Sequence, residues 1–292
     1  MIPAPTPLPP STQPGCRLIV GCGYLGSRVA QRWLAEGSSV WAITRKPTRA
    51  HELAAAGLQP ILADVAGPLP PLPRVDTMFW AVGFDRSAAA THRDIHVTGL
   101  QRVLDTLPGS PRIVFSSSTG VWGDTAGESV NEQTPAHPTR EAGLTLLEAE
   151  QMLSRHRLGP GVALRFAGLY GPDRLPRLED LRAGVPLAAD PDSWLNLIHV
   201  DDAADVVVRI AAHPAPQPLY VVSDGMPVQR REWYGHLASL TGCPIPSWDV
   251  AAPRTRGADK RVDSTKVWRD LQATPHYPDA FCGLSAILKP RA

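Results

Sequence analysis

The chain lacks a charge bias, a long apolar run and any paired-cysteine pattern, and each absence excludes something. Twenty-nine Lys and Arg stand against 28 Asp and Glu in 292 residues, a formal net charge of +1. Nothing in that balance calls for nucleic acid or an anionic membrane surface as a partner. No apolar run is long enough to span a bilayer. Residues 1–15 hold too many prolines for the apolar centre of a secretion signal and read as a disordered or polyproline-like tail. Cys16, Cys22, Cys243 and Cys282 form no Cys-x-x-Cys pair. They read as reduced thiols of a cytoplasmic protein, with neither a metal site nor a disulfide framework.

What is present is an alternation of strand and helix patterns in a chain long enough for one large α/β domain plus a lobe. The apolar run Leu18-Ile19-Val20 opens into Gly21-Cys22-Gly23-Tyr24-Leu25-Gly26. In such a Gly-x-Gly-x-x-Gly turn the first glycine permits the tight strand-to-helix turn. The second lets backbone approach a pyrophosphate, and the third lets the helix pack on the strand. The context fits: residues 27–36 form an amphipathic helix that stops at Gly37, and residues 38–44 read as a second buried strand. A glycine-rich turn with a purely structural role is the alternative. Further strands are expected at 59–62, 75–80, 112–115 and 162–166, with helices at 48–56 and 87–107 between them. Strands separated by helices imply parallel pairing, hence a Rossmann-type doubly wound α/β sheet. The core should span 16–170. After that, prolines and arginines multiply and shorter elements imply a small C-terminal substrate lobe. A helix at 202–212 belongs to the stretch 195–222, which returns to the main sheet.

Three further segments carry a resemblance. Phe115-Ser116-Ser117-Ser118-Thr119-Gly120-Val121-Trp122-Gly123-Asp124 is similar to the Ser-rich strand end and Val-Tyr-Gly-Asp of extended short-chain dehydrogenases/reductases. Leu164-Arg165-Phe166-Ala167-Gly168-Leu169-Tyr170-Gly171-Pro172 resembles that family's Leu-Arg…Tyr-Gly-Pro segment. Asn196-Leu197-Ile198-His199-Val200-Asp201-Asp202-Ala203-Ala204 resembles its Asn-x-Ile-His-Val-x-Asp-x-Ala segment. With the glycine motif, all in order, the chain resembles the NAD-dependent epimerase/dehydratase family, in its atypical YeeZ-like branch. The resemblance implies cofactor contacts from Gly21, Gly23, Tyr24, Leu25 and Gly26, then from Thr44 and Arg45 after the second strand. It adds Asp64 and Val65 along the adenine edge, Ala81 and Val82 after the fourth strand, and Ser116, Phe166 and Leu169 beyond. NAD-specific sites place a carboxylate at the end of the second strand. Here that end reads Ile43-Thr44-Arg45-Lys46, so NADP is expected over NAD. Arg45 would stack on adenine and pair with a 2′-phosphate, unless the segment is simply an exposed basic turn.

The family's proton transfer uses a Tyr-x-x-x-Lys pair on the helix after the Ser-rich strand. Aligned on Glu150-Gln151-Met152-Leu153, this chain has Ala142 and Leu146 at those places, and no tyrosine or lysine lies between Val121 and Leu169. Ser118 is then the candidate catalytic residue, orienting a substrate oxygen, with Thr119 the fallback. A serine that only satisfies loop backbone is the alternative. His137 is read as a loop histidine or a proton donor, and His199 as part of a structural turn. Two function classes stay open. One is an NADP-dependent oxidoreductase or epimerase acting on a small carbonyl or sugar-like substrate. The other is a cofactor-binding sensor or interaction protein with weak or no catalysis.

Overall fold

A computed structural model of the protein describes residues 14–85, 89–252 and 258–289. Most of the expected N-terminal tail, residues 1–13, lies outside the described residues. Seven parallel strands make the central sheet: β1 (Cys16–Val20), β2 (Ser39–Thr44), β3 (Gln59–Leu62), β4 (Thr77–Trp80), β5 (Arg112–Ser118), β6 (Val162–Phe166) and β7 (Leu219–Val222). Their spatial order is 3-2-1-4-5-6-7. The doubly wound sheet expected from the alternation is what forms. Parallel strands with both faces covered are apolar throughout, and every residue of β4 and β6 is buried. The order reverses between β1 and β4, and a crevice opens there outside the carboxyl ends of the strands.

The helices are α1 (Tyr24–Ala35), α2 (Pro47–Ala55), α3 (Leu100–Thr106), α4 (Glu141–Arg155), α5 (Leu178–Arg182), α6 (Val200–Ala212), α7 (Arg230–Thr241), α8 (Thr265–Asp270) and α9 (Ala280–Leu288). One face of the sheet is covered by α1 and α6, whose Val29, Trp33, Val206 and Ile210 share a buried cluster with Ile19 and Leu164. The other is covered by α3 and α4, through Leu100, Val103, Ala149 and Leu153 on Met78 and Phe115. After β6 the chain leaves the sheet. A lobe forms around Tyr170, Trp233, Leu237 and Leu284, with α7 and α9 packed together. The chain returns through α6 and β7, and β7 pairs with β6.

Two expectations need correction. β5 runs past Phe115 to Ser118, because Ser116, Ser117 and Ser118 pair with Leu164, Arg165 and Phe166 of β6. The serines are therefore strand residues with fixed, alternating side-chain directions. The helix expected over 87–107 starts later and is not uniform: among the described residues it begins at 92, and Asp94–Gly99 are π-helical before α3 begins. Gly99 packs close to the chain after β3, since an added Cβ would lie 3.1 Å from the Val65 carbonyl oxygen.

Candidate functional site

Two clefts open along the carboxyl ends of the strands. The first, of about 280 Å³, lies over β1, β2 and β4. It brings together eight of the expected residues: Gly21, Gly23, Thr44, Arg45, Asp64, Val65, Ala81 and Val82. Gly21 has φ +89°, and a Cβ on it would come within 2.6 Å of the Val82 Cα. The turn is possible only because no side chain separates it from the backbone after β4. A Cβ on Gly26 would lie 2.6 Å from the Gly21 carbonyl oxygen, so the third glycine sets how closely α1 packs on the turn. Gly23 differs. A Cβ there meets nothing within 4 Å, and no side chain caps the start of α1 behind it. That uncapped start of α1 carries the partial positive charge of a helix N-terminus, an end of the kind that holds a pyrophosphate. Cys22 is buried, and burial pushes its thiol up to about 11, so it stays protonated.

Arg49 adds a third cation to the expected Arg45-Lys46 among the described residues of this cleft, beside the Asp64 and Asp85 carboxylates. Arg49 donates to the Cys22 carbonyl at 3.1 Å and pairs with Glu52 at 2.7 Å. Arg45 is in an ion pair with Asp85, which lines the same cleft.

The second cleft, of about 560 Å³, lies between the ends of β5 and β6 and the lobe. It gathers Ser116, Ser118, Thr119, Phe166 and Leu169. Ser118 accepts the Gly120 N–H at 3.1 Å, capping the turn Thr119–Trp122. That occupies one of its two acceptor lone pairs and leaves its own O–H as a donor. Ser117, one residue earlier on the strand, points the other way and donates to Glu150 at 2.5 Å. Glu150 in turn holds Arg165 through two bonds of 3.0 and 2.7 Å, and the guanidinium lies 4.6 Å over the Trp122 ring. Through Ser117 on β5 and Arg165 on β6, Glu150 locks the ends of both strands to α4. Of the described charged side chains lining the cleft, Arg140, Arg174, Arg177, Arg230 and Lys260 are cations and Asp124 is the carboxylate. None of the five cations was anticipated. They come from four separate stretches of chain with no shared spacing, so the sequence carried no local signal for them.

Other expected residues fall elsewhere. Tyr24, Leu25 and Gly26 line neither cleft. The Tyr24 hydroxyl donates to the Pro172 carbonyl at 2.9 Å, with the Arg28 and Arg174 guanidiniums 4.3 and 5.3 Å from its ring centre. Leu25 is core, and Gly26 packs on the turn. His137 is exposed and lines neither cleft. His199 caps α6 by accepting the Asp201 N–H at 3.2 Å, and burial lowers its imidazole to about 4, so it stays neutral. On α4, Ala142 is exposed and Leu146 half-buried against the sheet, and the helix carries neither tyrosine nor lysine. No described helix is long and apolar enough to cross a membrane.

Comparison with known proteins gives three kinds of match. The NAD dependent epimerase/dehydratase family matches over residues 18–222. Protein YeeZ of Escherichia coli K12 is 29% identical over 276 residues, covering 89% of this chain and 96% of that protein. A 4-hydroxy-2-methyl-3-oxo-4-farnesyl-3,4-dihydroquinoline-1-oxide ketoreductase of Stigmatella aurantiaca is 28% identical, covering 88% of this chain and 82% of that protein. The solved structure of a functionally unknown conserved protein from Silicibacter pomeroyi superposes with a TM-score of 0.77 at 27% identity, covering 94% of this chain and 98% of that one.

Proposed function

Since the chain belongs to the NAD-dependent epimerase/dehydratase family, we propose that it is an NADP-dependent oxidoreductase or epimerase acting on a carbonyl or sugar-like compound that carries an anionic group. The observation that carries this reading is the pair of clefts along one sheet edge. A glycine cradle over β1 and β4 lies beside a Ser-lined, five-cation cleft over β5 and β6. In this reading Gly21, Gly23 and the first amides of α1 hold the pyrophosphate, while Asp64 and Val65 flank the adenine. Arg45, Lys46 and Arg49 supply charge for a 2′-phosphate, and the second-strand end has no carboxylate to bind bare ribose hydroxyls. A bound nicotinamide dinucleotide supplies hydride chemistry at its ring. Ser118 donates its free O–H to a substrate oxygen, and the lobe cations hold the substrate's anionic end. The Stigmatella relative is named a ketoreductase, and the same class of carbonyl chemistry is proposed here.

A second reading, a cofactor-binding sensor with little turnover, draws on one observation. Ala142 and Leu146 stand on α4 where the family's Tyr-x-x-x-Lys pair is expected, and positioned acid–base groups typically supply roughly 10²–10⁴-fold. Fluorescence titration with NADPH and NADH, followed by turnover on a panel of phosphorylated and nucleotide-linked ketones, separates the two. The expected result is tighter NADPH binding, lost preferentially in Arg45→Ala by roughly tenfold, as for one charge-assisted bond. Slow turnover that disappears in folded Ser118→Ala is expected beside it. NADH bound as tightly as NADPH would refute the cofactor choice, and tight NADPH binding without turnover on any member of the panel would favour the sensor.

A further inference from the structure

Of the 29 Lys and Arg in this chain only four are lysines, at positions 46, 260, 266 and 289. Lys260 alone among them is buried, at 4% exposure, and it lines the second cleft. Its ammonium donates to the Gly123 carbonyl at 3.0 Å. That uses one of three donors and leaves two for whatever fills the cleft. The position is clamped from both sides. Asn196 donates to the Lys260 carbonyl at 2.9 Å and accepts the Val262 N–H at 2.8 Å. The Thr125 and Gly127 N–H groups donate to the Asp259 carbonyl at 3.0 and 3.1 Å, and Arg261–Val262 pairs with Ser129–Val130. Gly123, which holds the ammonium, closes the turn that Ser118 opens, with its N–H on the Gly120 carbonyl at 3.4 Å. Lys260 and Ser118 therefore flank one short turn on the wall of a single cleft.

A bridge to Gly123 or a counter-charge for an anion would be served as well by arginine, which this chain uses almost everywhere else. Lysine differs in one respect: it can give up its proton near neutral pH, and arginine cannot. Burial is the main force on this ammonium and lowers it to about 8. Among the facing charges, Asp124 on the loop after Gly123 and Asp259 beside it favour the ammonium, whereas Arg140 before α4 and Arg230 on α7 oppose it. Among the described residues, the Asp124 carboxylate of this cleft already accepts the Ala126 and Asp259 N–H groups, and the other proton carriers are guanidiniums, hydroxyls and the Tyr234 phenol, which burial pushes up. None of these releases a proton as readily at neutral pH.

We propose that Lys260 is the proton donor of this cleft, taking from outside the nucleotide-binding half the part that a tyrosine on α4 would otherwise have. The proposal rests on the oxidoreductase reading above. In the reductive direction an N–H bond of the ammonium breaks as an O–H bond forms on the substrate oxygen. That oxygen carries the electron pair of the former carbonyl π bond, displaced when hydride from a dihydronicotinamide reaches the carbonyl carbon. The neutral amine then recovers a proton from water, and in the oxidative direction it accepts the hydroxyl proton.

The first test needs no turnover. With lysine ¹³C-labelled at Cε, four signals report four amines, and titration in the unmodified protein should show one low midpoint, near 8. Lys260→Arg assigns the low one. Should that variant not fold, Lys46→Arg, Lys266→Arg and Lys289→Arg assign it by elimination. The second test is kinetic. Reduction should fall as pH rises through about 8, because the ammonium is the active form. Lys260→Arg should keep NADPH affinity and KM within threefold but lose kcat by roughly 10²–10³-fold. A Lys260 midpoint above 10, or a Lys260→Arg protein within fivefold of full kcat, overturns the proposal, the latter by showing that only its charge matters. An unmodified protein that turns over no carbonyl compound while Lys260 still titrates near 8 overturns the underlying function instead.

Discussion

Two glycines of the same turn should fail in opposite ways when enlarged. For Gly21→Val the Cβ would sit 2.6 Å from the Val82 Cα and 2.7 Å from its N, at φ +89°. Backbone cannot swing aside as a side-chain end can. Overpacking costs about 1–3 kcal/mol, and the left-handed backbone adds about 1–2 kcal/mol for a residue with a Cβ. The sum is about 2–5 kcal/mol, a large share of the roughly 5–15 kcal/mol that holds a domain together. At roughly 2–4 °C per kcal/mol for a chain of this size class, the Tm should fall by about 4–20 °C, ligand or none. Gly23→Val is different, because its Cβ meets nothing within 4 Å. The ligand-free Tm should hold within about 3 °C, the scale of exchanging one helix-start residue. The new side chain occupies the cradle, so NADPH affinity should drop at least a hundredfold. The stabilisation of about 2.7 kcal/mol expected at a hundred times Kd should then vanish with it. Thermal unfolding of both variants with and without NADPH, beside a fluorescence titration, reads all of these quantities. NADPH affinity unchanged in Gly23→Val would remove the pyrophosphate from this turn. A Gly23→Val protein as unstable as Gly21→Val would show that the openness at Gly23 is not what the turn tolerates.

Two further outcomes test the supports of the site. Glu150→Ala leaves the Arg165 guanidinium buried without its partner, the two side chains being 10% and 6% exposed. Breaking such a pair costs about 3–5 kcal/mol, so Tm should fall on the order of 10 °C. Glu148→Ala, which removes the exposed pair with Arg93, should leave Tm unchanged within error, and equal losses from both would contradict the assignment of the buried pair. Asp224 has one carboxyl oxygen on the Met226 N–H at 2.9 Å and the other buried without a partner, and burial pushes its carboxyl up to about 8. An acid raised in the folded state leaves stability intact below its unfolded value of about 3.9. Stability is then lost as pH rises towards the folded value, because only the unfolded chain ionises in between. Asp224→Asn should therefore raise Tm more at pH 8 than at pH 4.5, and a pH-independent difference would refute the buried-acid account.

The parts of this molecule that could be read from the sequence are those whose physics is local. The turn from Val20 to Gly26 was legible because each glycine answers a constraint set within a few residues, and β3 was legible because 59–62 is a short run bounded by Gly57 and Asp64. The end of β5 was legible only through the family resemblance and not from its own residues, since three serines have weak strand character by themselves. What makes them strand is their pairing with Leu164, Arg165 and Phe166 of β6, far along the chain. The same distance hid the chemistry of the second cleft. Ala142 and Leu146 are visible as substitutions within one helix, yet Lys260 belongs to a segment held by Asn196 on one side and the stretch 123–130 on the other. Neither partner is near it in sequence, and a lysine before Arg261 has no spacing that marks it as part of a site. An empty place in a local motif therefore says only that the motif's own helix does not supply the group. In this fold the lobe closes over the strand ends from residues far downstream, so a proton donor can enter the cleft from the lobe without leaving any trace on the helix that lost one.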